Sequence, residues 1–212
     1  MKNTIGQIFW YSILSVCLIS FTLPSFAQEK TPRAYRKYIK KHRKNYKKDF
    51  LKSERSPLDR KGTKKLDFYQ ADINYKVQGT FKRTPKEKPF DLMTSSGRTR
   101  KYVKYGEVTL PVNGQSITLA VYQSLRALKM PMYRDHLFIP FKDATNNKTT
   151  YGGGRYLDAK LTDIVEEKMT IDFNKAYNPY CAFKPEGYSC PIPPKENHLQ
   201  ISIEAGEKNF EK

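Results

Sequence analysis

The chain has 212 residues and a net charge of +18, from 39 Lys/Arg against 21 Asp/Glu. A mature chain of about 185 residues forms one domain of ordinary size, so its core requires neither a metal nor many disulfides. The excess of positive charge favours anionic partners, such as lipid headgroups, acidic envelope polymers or nucleic acid.

Residues 1–27 have the three parts of a secretory signal peptide. Lys2 supplies the positive charge, and residues 5–23 are almost all apolar or small and carry no charge. Ser25 and Ala27 are the small residues of a cleavage site. We therefore expect export, with cleavage near Ala27 and a periplasmic or extracellular mature protein, which makes nucleic acid the least expected partner. The alternative is an uncleaved anchor, because roughly 20 apolar residues span a bilayer.

The positive charge is concentrated in residues 28–65, which hold 16 Lys/Arg against 4 Asp/Glu. Residues 66–212 hold 22 Lys/Arg against 17 Asp/Glu. We interpret the first range as a basic helix and linker and the second as a β-rich domain. The basic range is suited to an anionic envelope surface; the alternative is a helix whose charged face is simply solvated.

Residues 31–52 have the pattern of an amphipathic helix. Thr31 and Pro32 are typical of an N-cap and a first helical residue. Seven residues then recur at spacings of three and four and form one stripe: Tyr35, Tyr38, Ile39, His42, Tyr46, Phe50 and Leu51. Because tyrosines suit a partly wet protein contact, we expect the stripe to dock on the domain. The alternative is a helix lying in a membrane interface.

From residue 68 onward, hydrophobic residues alternate with polar ones, which predicts β-strands. The expected strands lie near residues 73–81, 101–112, 117–121, 137–141, 169–173 and 199–205. Asn113-Gly114 predicts a tight hairpin, because both turn residues must take positive φ. A loop or short helix is expected at 125–135. We therefore predict a mostly β, α+β fold: an antiparallel barrel or two-layer sandwich with an N-terminal helix.

Three segments are denser in polar and turn residues than plain connecting loops, at 141–156, 172–181 and 190–207. The leading hypothesis is a binding module that holds a small or anionic ligand in a pocket formed by these segments. Gly152-Gly153-Gly154 would bring backbone amides close to an anion, and Arg155 would be its anchor. Alternatively, Arg155 forms a structural ion pair with one of three carboxylates: Asp172, Glu196 or Glu204.

The candidate ligand-binding residues are the charged, amide and aromatic side chains of these segments: Asp143, Tyr151, Arg155, Tyr156, Asp172, Asn174, Tyr177, Asn178, Glu196 and Asn197. Two rival functions are a hydrolase with a carboxylate pair such as Asp172 and Glu204, and a structural protein whose basic helix binds anionic envelope surfaces. The sequence identifies no cofactor.

Cys181 and Cys190 are the cysteines that follow the predicted signal peptide. An even number of cysteines in an oxidising compartment predicts one disulfide. A nucleophile or a metal site is the alternative, but the pair lacks Cys-x-x-Cys spacing, and His198 is the only nearby histidine. We therefore predict no metal site.

Four motifs occur in order in the three segments, at 141–157, 172–181 (Asp-Phe-Asn-Lys-Ala-Tyr-Asn-Pro-Tyr-Cys), 190–199 (Cys-Pro-Ile-Pro-Pro-Lys-Glu-Asn-His-Leu) and 205–207 (Ala-Gly-Glu). Through them, residues 36–210 resemble the bacterial domain-of-unknown-function family 1684. Asn147 stands where that family usually has Gly, and Asn tolerates a left-handed turn. The resemblance implies no activity, and it indicates these segments as the place to look for a site.

Overall fold

A computed structural model describes residues 31–211, so the predicted signal peptide lies outside the described residues. The helices are α1 Arg33–Lys52, α2 Arg60–Lys64, α3 Leu125–Leu128 and α4 Tyr180–Phe183. The strands are β1 Lys76–Arg83, β2 Phe90–Met93, β3 Thr99–Val112, β4 Gln115–Ser124, β5 His136–Phe141, β6 Arg155–Lys160, β7 Ile164–Val165 and β8 Lys168–Asp172. In this part of the chain, no helix combines the length and apolar character that crossing a membrane requires.

The strands form one antiparallel sheet in the order β6-β5-β4-β3-β1-β8-β7, and β2 pairs with the first residues of β3. The predicted mostly β fold with an N-terminal helix is confirmed, and the sheet is not closed into a barrel. The predicted hairpin is also confirmed. Asn113 and Gly114 have φ of 51° and 75°, and Val112 pairs with Gln115 across the turn.

A β-bulge in β3 decides which side chains face which side of the sheet. The register with β4 shifts between Lys104 and Gly106. After the bulge, Val108 and Leu110 face the main core, whereas before it Tyr102 belongs to a separate aromatic cluster. Because one extra residue inverts the alternation, the two halves of β3 present hydrophobic side chains to opposite faces.

The helix α1 docks on the domain through its predicted stripe. Tyr35, Ile39 and Phe50 are buried, at 8%, 0% and 3% exposure. The Tyr35 hydroxyl donates to Asp172 Oδ1 at 2.7 Å, and the Tyr46 hydroxyl donates to Glu207 Oε2 at 2.9 Å. Most of the stripe is therefore occupied by protein contacts, although Tyr38 and Leu51 each remain 47% exposed.

Two predicted element starts are wrong by a few residues. The helix begins at Arg33 with Pro32 at the N-cap, and the Thr31 hydroxyl accepts a hydrogen bond from Ile73 N at 3.0 Å instead of capping the helix. Strand β1 begins at Lys76, because Ile73–Tyr75 form a 3₁₀ turn. The loop or short helix expected at 125–135 is confirmed and begins with the short helix α3.

The predicted strand at 199–205 is also wrong, although the segment is part of the main core. Leu199, Ile203 and Ala205 are buried there, but the residues pair with no strand of the described sheet. The carbonyl oxygens of Ile203 and Ala205 accept hydrogen bonds from the Arg155 guanidinium. A side chain thus takes the place of a neighbouring strand.

Candidate ligand-binding site

An open cleft of about 950 Å³, here called the aromatic cleft, lies on the face of the sheet opposite the main core. Its floor and walls are aromatic side chains: Tyr102, Phe138, Tyr156, Tyr177, Tyr180 and Tyr188. The ring centroids of Phe138 and Tyr156 are 4.8 Å apart, and those of Tyr156 and Tyr177 are 5.8 Å apart. Burial raises the pKa of Tyr102 above its ordinary value, so this phenol holds its proton more tightly than an exposed tyrosine does.

The alternation of side chains along β5 and β6 decides which residues form the floor of the aromatic cleft. On β6, Tyr156 and Asp158 face the cleft, whereas Arg155 and Leu157 face the main core. On β5, Phe138 faces the cleft and Leu137 faces the core. Successive side chains of a strand point to opposite faces, so Arg155 and Tyr156 cannot line the same pocket.

One wall joins the turn between β2 and β3 to the loop at 187–191. Ser95 N donates to Cys190 O at 2.9 Å, and Ile192 N donates to Met93 O at 2.9 Å. The Arg100 guanidinium donates to Ser189 O at 2.9 Å. The predicted disulfide between Cys181 and Cys190 is confirmed, and it ties this wall to α4.

A Cys181→Ser/Cys190→Ser protein is expected to lose about 2–3 kcal/mol of unfolding free energy, because the bond closes a short loop in the unfolded chain. Urea unfolding with and without a reductant measures the loss. Reductant should lower the stability of the wild type to that of the variant and leave the variant unchanged. Equal stability of both proteins under oxidising conditions would contradict this assignment.

Three arginines give the rim of the aromatic cleft its charge. Arg55, Arg98 and Arg100 line it, and all three residues are exposed. The Tyr188 hydroxyl holds the backbone of Arg55 in place by donating to its carbonyl at 2.8 Å. Exposed guanidinium groups beside an aromatic floor can bind an anion through paired N–H donors while a ring stacks below.

A histidine–carboxylate pair also lines the aromatic cleft. His136 Nε2 lies 2.9 Å from Asp158 Oδ1, and the two side chains are 32% and 49% exposed. Burial raises the pKa of Tyr177, and the charge and hydrogen bond of Asp158 raise it further. The cleft therefore combines cationic groups with a carboxylate that can accept a hydrogen bond from a hydroxyl or amine.

Arg155, the predicted anchor, is instead part of the main core. Its side chain is 0% exposed, and Nη2 donates to Asp143 Oδ2 at 2.5 Å. Its further bonds go to the carbonyls of Ile203 at 2.9 Å, Glu207 at 3.3 Å and Ala205. The prediction that Asp172, Glu196 or Glu204 pairs with Arg155 is wrong. The partner is Asp143, which lies twelve residues earlier in the chain.

The loop at 141–151 is held by its own side chains. Asp143 Oδ1 accepts from Thr145 N at 2.7 Å, and Thr145 Oγ1 lies 2.8 Å from Thr150 Oγ1. Asn146 Nδ2 donates to Tyr151 O at 2.8 Å. Asn147 has φ of 62°, the left-handed conformation expected for it. Asp143 and Tyr151 are therefore placed in a structural loop away from the aromatic cleft.

Asn197 connects two strands that barely pair. Strands β4 and β5 share one paired position, and Pro140 has no N–H to donate. Asn197 is 0% exposed, accepts from Ala120 N at 2.7 Å and donates to Ala120 O at 2.9 Å and Pro140 O at 2.8 Å. The neighbouring Glu196 pairs with Lys104 at 2.6 Å and also accepts from the Tyr122 hydroxyl. Both residues therefore have structural contacts outside the cleft.

Asp172 and Asn174 lie under α1. Asp172 Oδ1 accepts from the Tyr35 hydroxyl and from Asn174 N at 3.1 Å, and Asn174 Nδ2 donates to Asp72 O at 2.7 Å. Asp172 is only 8% exposed, whereas Glu204 is exposed at the surface. An acid–base pair needs two carboxyl groups that reach one substrate, so this geometry does not favour the hydrolase with Asp172 and Glu204.

Three predicted ligand-binding residues line the aromatic cleft: Tyr156, Tyr177 and Asn178. The other seven candidates lie outside the cleft, in segments that hold the fold together. Arg98, Arg100 and Asp158 also line the cleft, and none was predicted, because they lie outside the matched motifs or between them. Treating 155–160 as a strand would have paired Asp158 with Tyr156 on one face.

The fold and cleft define a class of protein: a single open antiparallel sheet with a docked N-terminal helix and an aromatic, arginine-rimmed cleft. The family model described as "Protein of unknown function (DUF1684)" matches residues 61–208, so the chain belongs to that family, as its motifs predicted. It is similar to an uncharacterized protein of Haloarcula marismortui with a solution NMR structure, at 27% identity and a TM-score of 0.62. The match covers 82% of this chain and 94% of that chain. No curated protein matches.

Proposed function

We propose that the protein is an exported binding module that holds a small anionic ligand with a planar or sugar ring in the aromatic cleft. One observation carries the proposal: three exposed arginines and an aromatic floor share one open cleft of about 950 Å³. Ligand pockets commonly measure about 300–1,000 Å³ and combine apolar walls with a few polar groups.

The side chains of the aromatic cleft support separate roles for its parts. Arg98 and Arg100 would bind the anionic group through paired N–H donors. Tyr156 and Phe138 would contact the ring, since aromatic faces suit planar ligands and the apolar faces of sugars. Asp158, held by His136, would accept a hydrogen bond from a hydroxyl or amine of the ligand. The anchoring role predicted for Arg155 thus passes to Arg98 and Arg100.

The proposed export is supported by two features. The first is the signal-peptide pattern of residues 1–27. The second is the disulfide between Cys181 and Cys190, because disulfides persist mainly in oxidising compartments outside the cytosol. Fractionation of expressing cells tests the proposal: the mature N-terminus should lie near residue 28, and the protein should be absent from the cytosol.

An Arg98→Ala/Arg100→Ala protein is expected to bind anionic ligands at least tenfold more weakly, since hydrogen bonds to charged groups contribute about 1.5–3 kcal/mol each. Saturation-transfer NMR on the full chain would screen aryl phosphates, sugar phosphates and aryl carboxylates against their uncharged counterparts. Calorimetric titration of the best ligand would then measure the change. Arg126→Ala removes an exposed arginine outside the cleft and should have no effect.

Two results would contradict the proposal. One is equal binding of charged and uncharged members of each ligand pair. The other is an equal loss of affinity in the Arg126→Ala control, which would assign the effect to net charge. A Tyr156→Leu protein gives an independent test. It should bind ring-containing ligands more weakly and bind inorganic phosphate with unchanged affinity.

A further inference from the structure

A second cleft of about 720 Å³, here called the α1 groove, lies between α1 and residues 63–71. Its apolar lining includes Ile39, Leu51 and Phe68. The groove lies apart from the aromatic cleft and shares no lining residue with it. An apolar groove beside a strongly basic helix is unexpected if that helix face serves only solubility.

Four cationic residues line the rim of the α1 groove at a spacing of four: Arg36, Lys40, Lys44 and Lys48. All four are exposed. The helical rise places them in one row about 18 Å long. Within residues 31–211, none of them forms an ion pair. The row is therefore a line of uncompensated positive charge.

The adjacent row of α1 is held against the domain. The Arg43 guanidinium donates to Tyr69 O at 2.8 Å and lies 4.8 Å from the Phe68 ring centroid. Lys47 Nζ donates to Leu66 O at 3.1 Å. These contacts fix the orientation of α1, so the exposed row and the apolar groove face the same way.

We infer that this face of α1 binds the surface of an anionic phospholipid bilayer. The cationic row lies against the lipid phosphates, and the exposed Leu51 and half-buried Phe68 of the groove meet the boundary between headgroups and acyl chains. Charge complementarity supports this occupant. The inference does not depend on the proposed ligand in the aromatic cleft.

Co-sedimentation of the mature chain, from residue 28 onward, with vesicles tests the inference. Vesicles of phosphatidylcholine with about 30% phosphatidylglycerol are compared with pure phosphatidylcholine, and the readout is the ratio of the two binding constants. The wild type should prefer anionic vesicles, and the preference should shrink as NaCl rises from about 0.1 to 1 M.

The decisive variant is Lys40→Ala/Lys44→Ala/Lys48→Ala, which keeps helix-forming residues on α1. Its preference for anionic vesicles should fall by on the order of 100-fold, since each lysine near an anionic surface contributes about a fivefold factor. The matched control is Lys82→Ala/Lys86→Ala/Lys88→Ala, which removes the same charge from exposed positions in and after β1. The control should keep most of the preference, and circular dichroism should show α1 intact in both.

Three outcomes would overturn the inference. The first is equal binding of the wild type to neutral and anionic vesicles. The second is an equal loss in the two triple variants, which would mean that net charge alone drives association. The third is tight binding to double-stranded DNA without binding to anionic vesicles, which would identify a different polyanion as the occupant of α1.

Discussion

An Arg155→Met protein is expected to lose about 3–5 kcal/mol of unfolding free energy, because the change leaves the Asp143 carboxylate buried without its partner. Both side chains of the pair are 0% exposed, so water cannot replace the lost contact. The change also removes the donors to the carbonyls of Ile203 and Ala205. Urea unfolding followed by circular dichroism measures the loss.

The control for this prediction is Arg126→Met, at an exposed position, where a change within about 0.5 kcal/mol is expected. A double-mutant cycle adds a second test. The Asp143→Asn/Arg155→Met protein should lose less than the sum of the two single variants, because the second change removes a group already left unpaired. Strict additivity, or a loss below about 1 kcal/mol for Arg155→Met, would refute the central role of this pair.

The stability of the protein is expected to fall as pH rises from about 5 to 9, through Glu207. Burial raises the pKa of Glu207 from 4.5 to about 8, and hydrogen bonds from Asn178 N and the Tyr46 hydroxyl only partly oppose the shift. Both bonds reach Oε2, whereas Oε1 is buried with no hydrogen-bond partner among the described residues. The nearby Arg155 donates to the Glu207 backbone carbonyl.

The sign of the effect follows from proton binding. Below pH 4.5 the folded and unfolded states both hold the proton, and between about pH 4.5 and 8 the folded state holds it more strongly. Unfolding then releases a proton, so the free energy of unfolding falls as pH rises through this window. The total loss is on the order of several kcal/mol, at about 1.4 kcal/mol for each pH unit.

Urea unfolding of the wild type and a Glu207→Gln protein at pH 5, 7 and 9 measures this contribution. The amide does not titrate, so the stability of the variant relative to the wild type should rise steadily with pH. Glu204→Gln, at an exposed carboxylate nearby in sequence, should follow the wild-type curve. Parallel curves for wild type and Glu207→Gln would show that Glu207 is ionised in the folded protein throughout.

The sequence predicted those elements whose signals are local. The Asn113-Gly114 turn, the alternation on β4 and β5 and the stripe of α1 each depend on residues a few positions apart. The disulfide was predictable for a different reason: only two cysteines follow residue 27, so they leave one possible pairing. Most of the candidate residues in the family motifs make contacts that hold the fold together.

The sequence alone does not show which candidate residues share a cleft, because a polar side chain serves a ligand or the fold depending on its neighbours in space. Arg155 and Tyr156 are adjacent in the chain, yet the pleat sends one into the core and the other into the aromatic cleft. Nothing near Asn197 in the sequence indicates that Ala120 and Pro140 need its amide.

The sequence by itself therefore determined the mostly β class, the tight hairpin and the amphipathic helix, because periodicity and turn chemistry act over short distances. It also determined the disulfide, because only two cysteines follow residue 27. Only the tertiary structure decided that Asp143 neutralises Arg155 and that Arg98 and Arg100 line the aromatic cleft. Arg155 also donates to the carbonyls of Ile203 and Ala205, and Arg100 donates to the carbonyl of Ser189. Both arrangements depend on contacts between segments far apart in the chain, which no local pattern specifies.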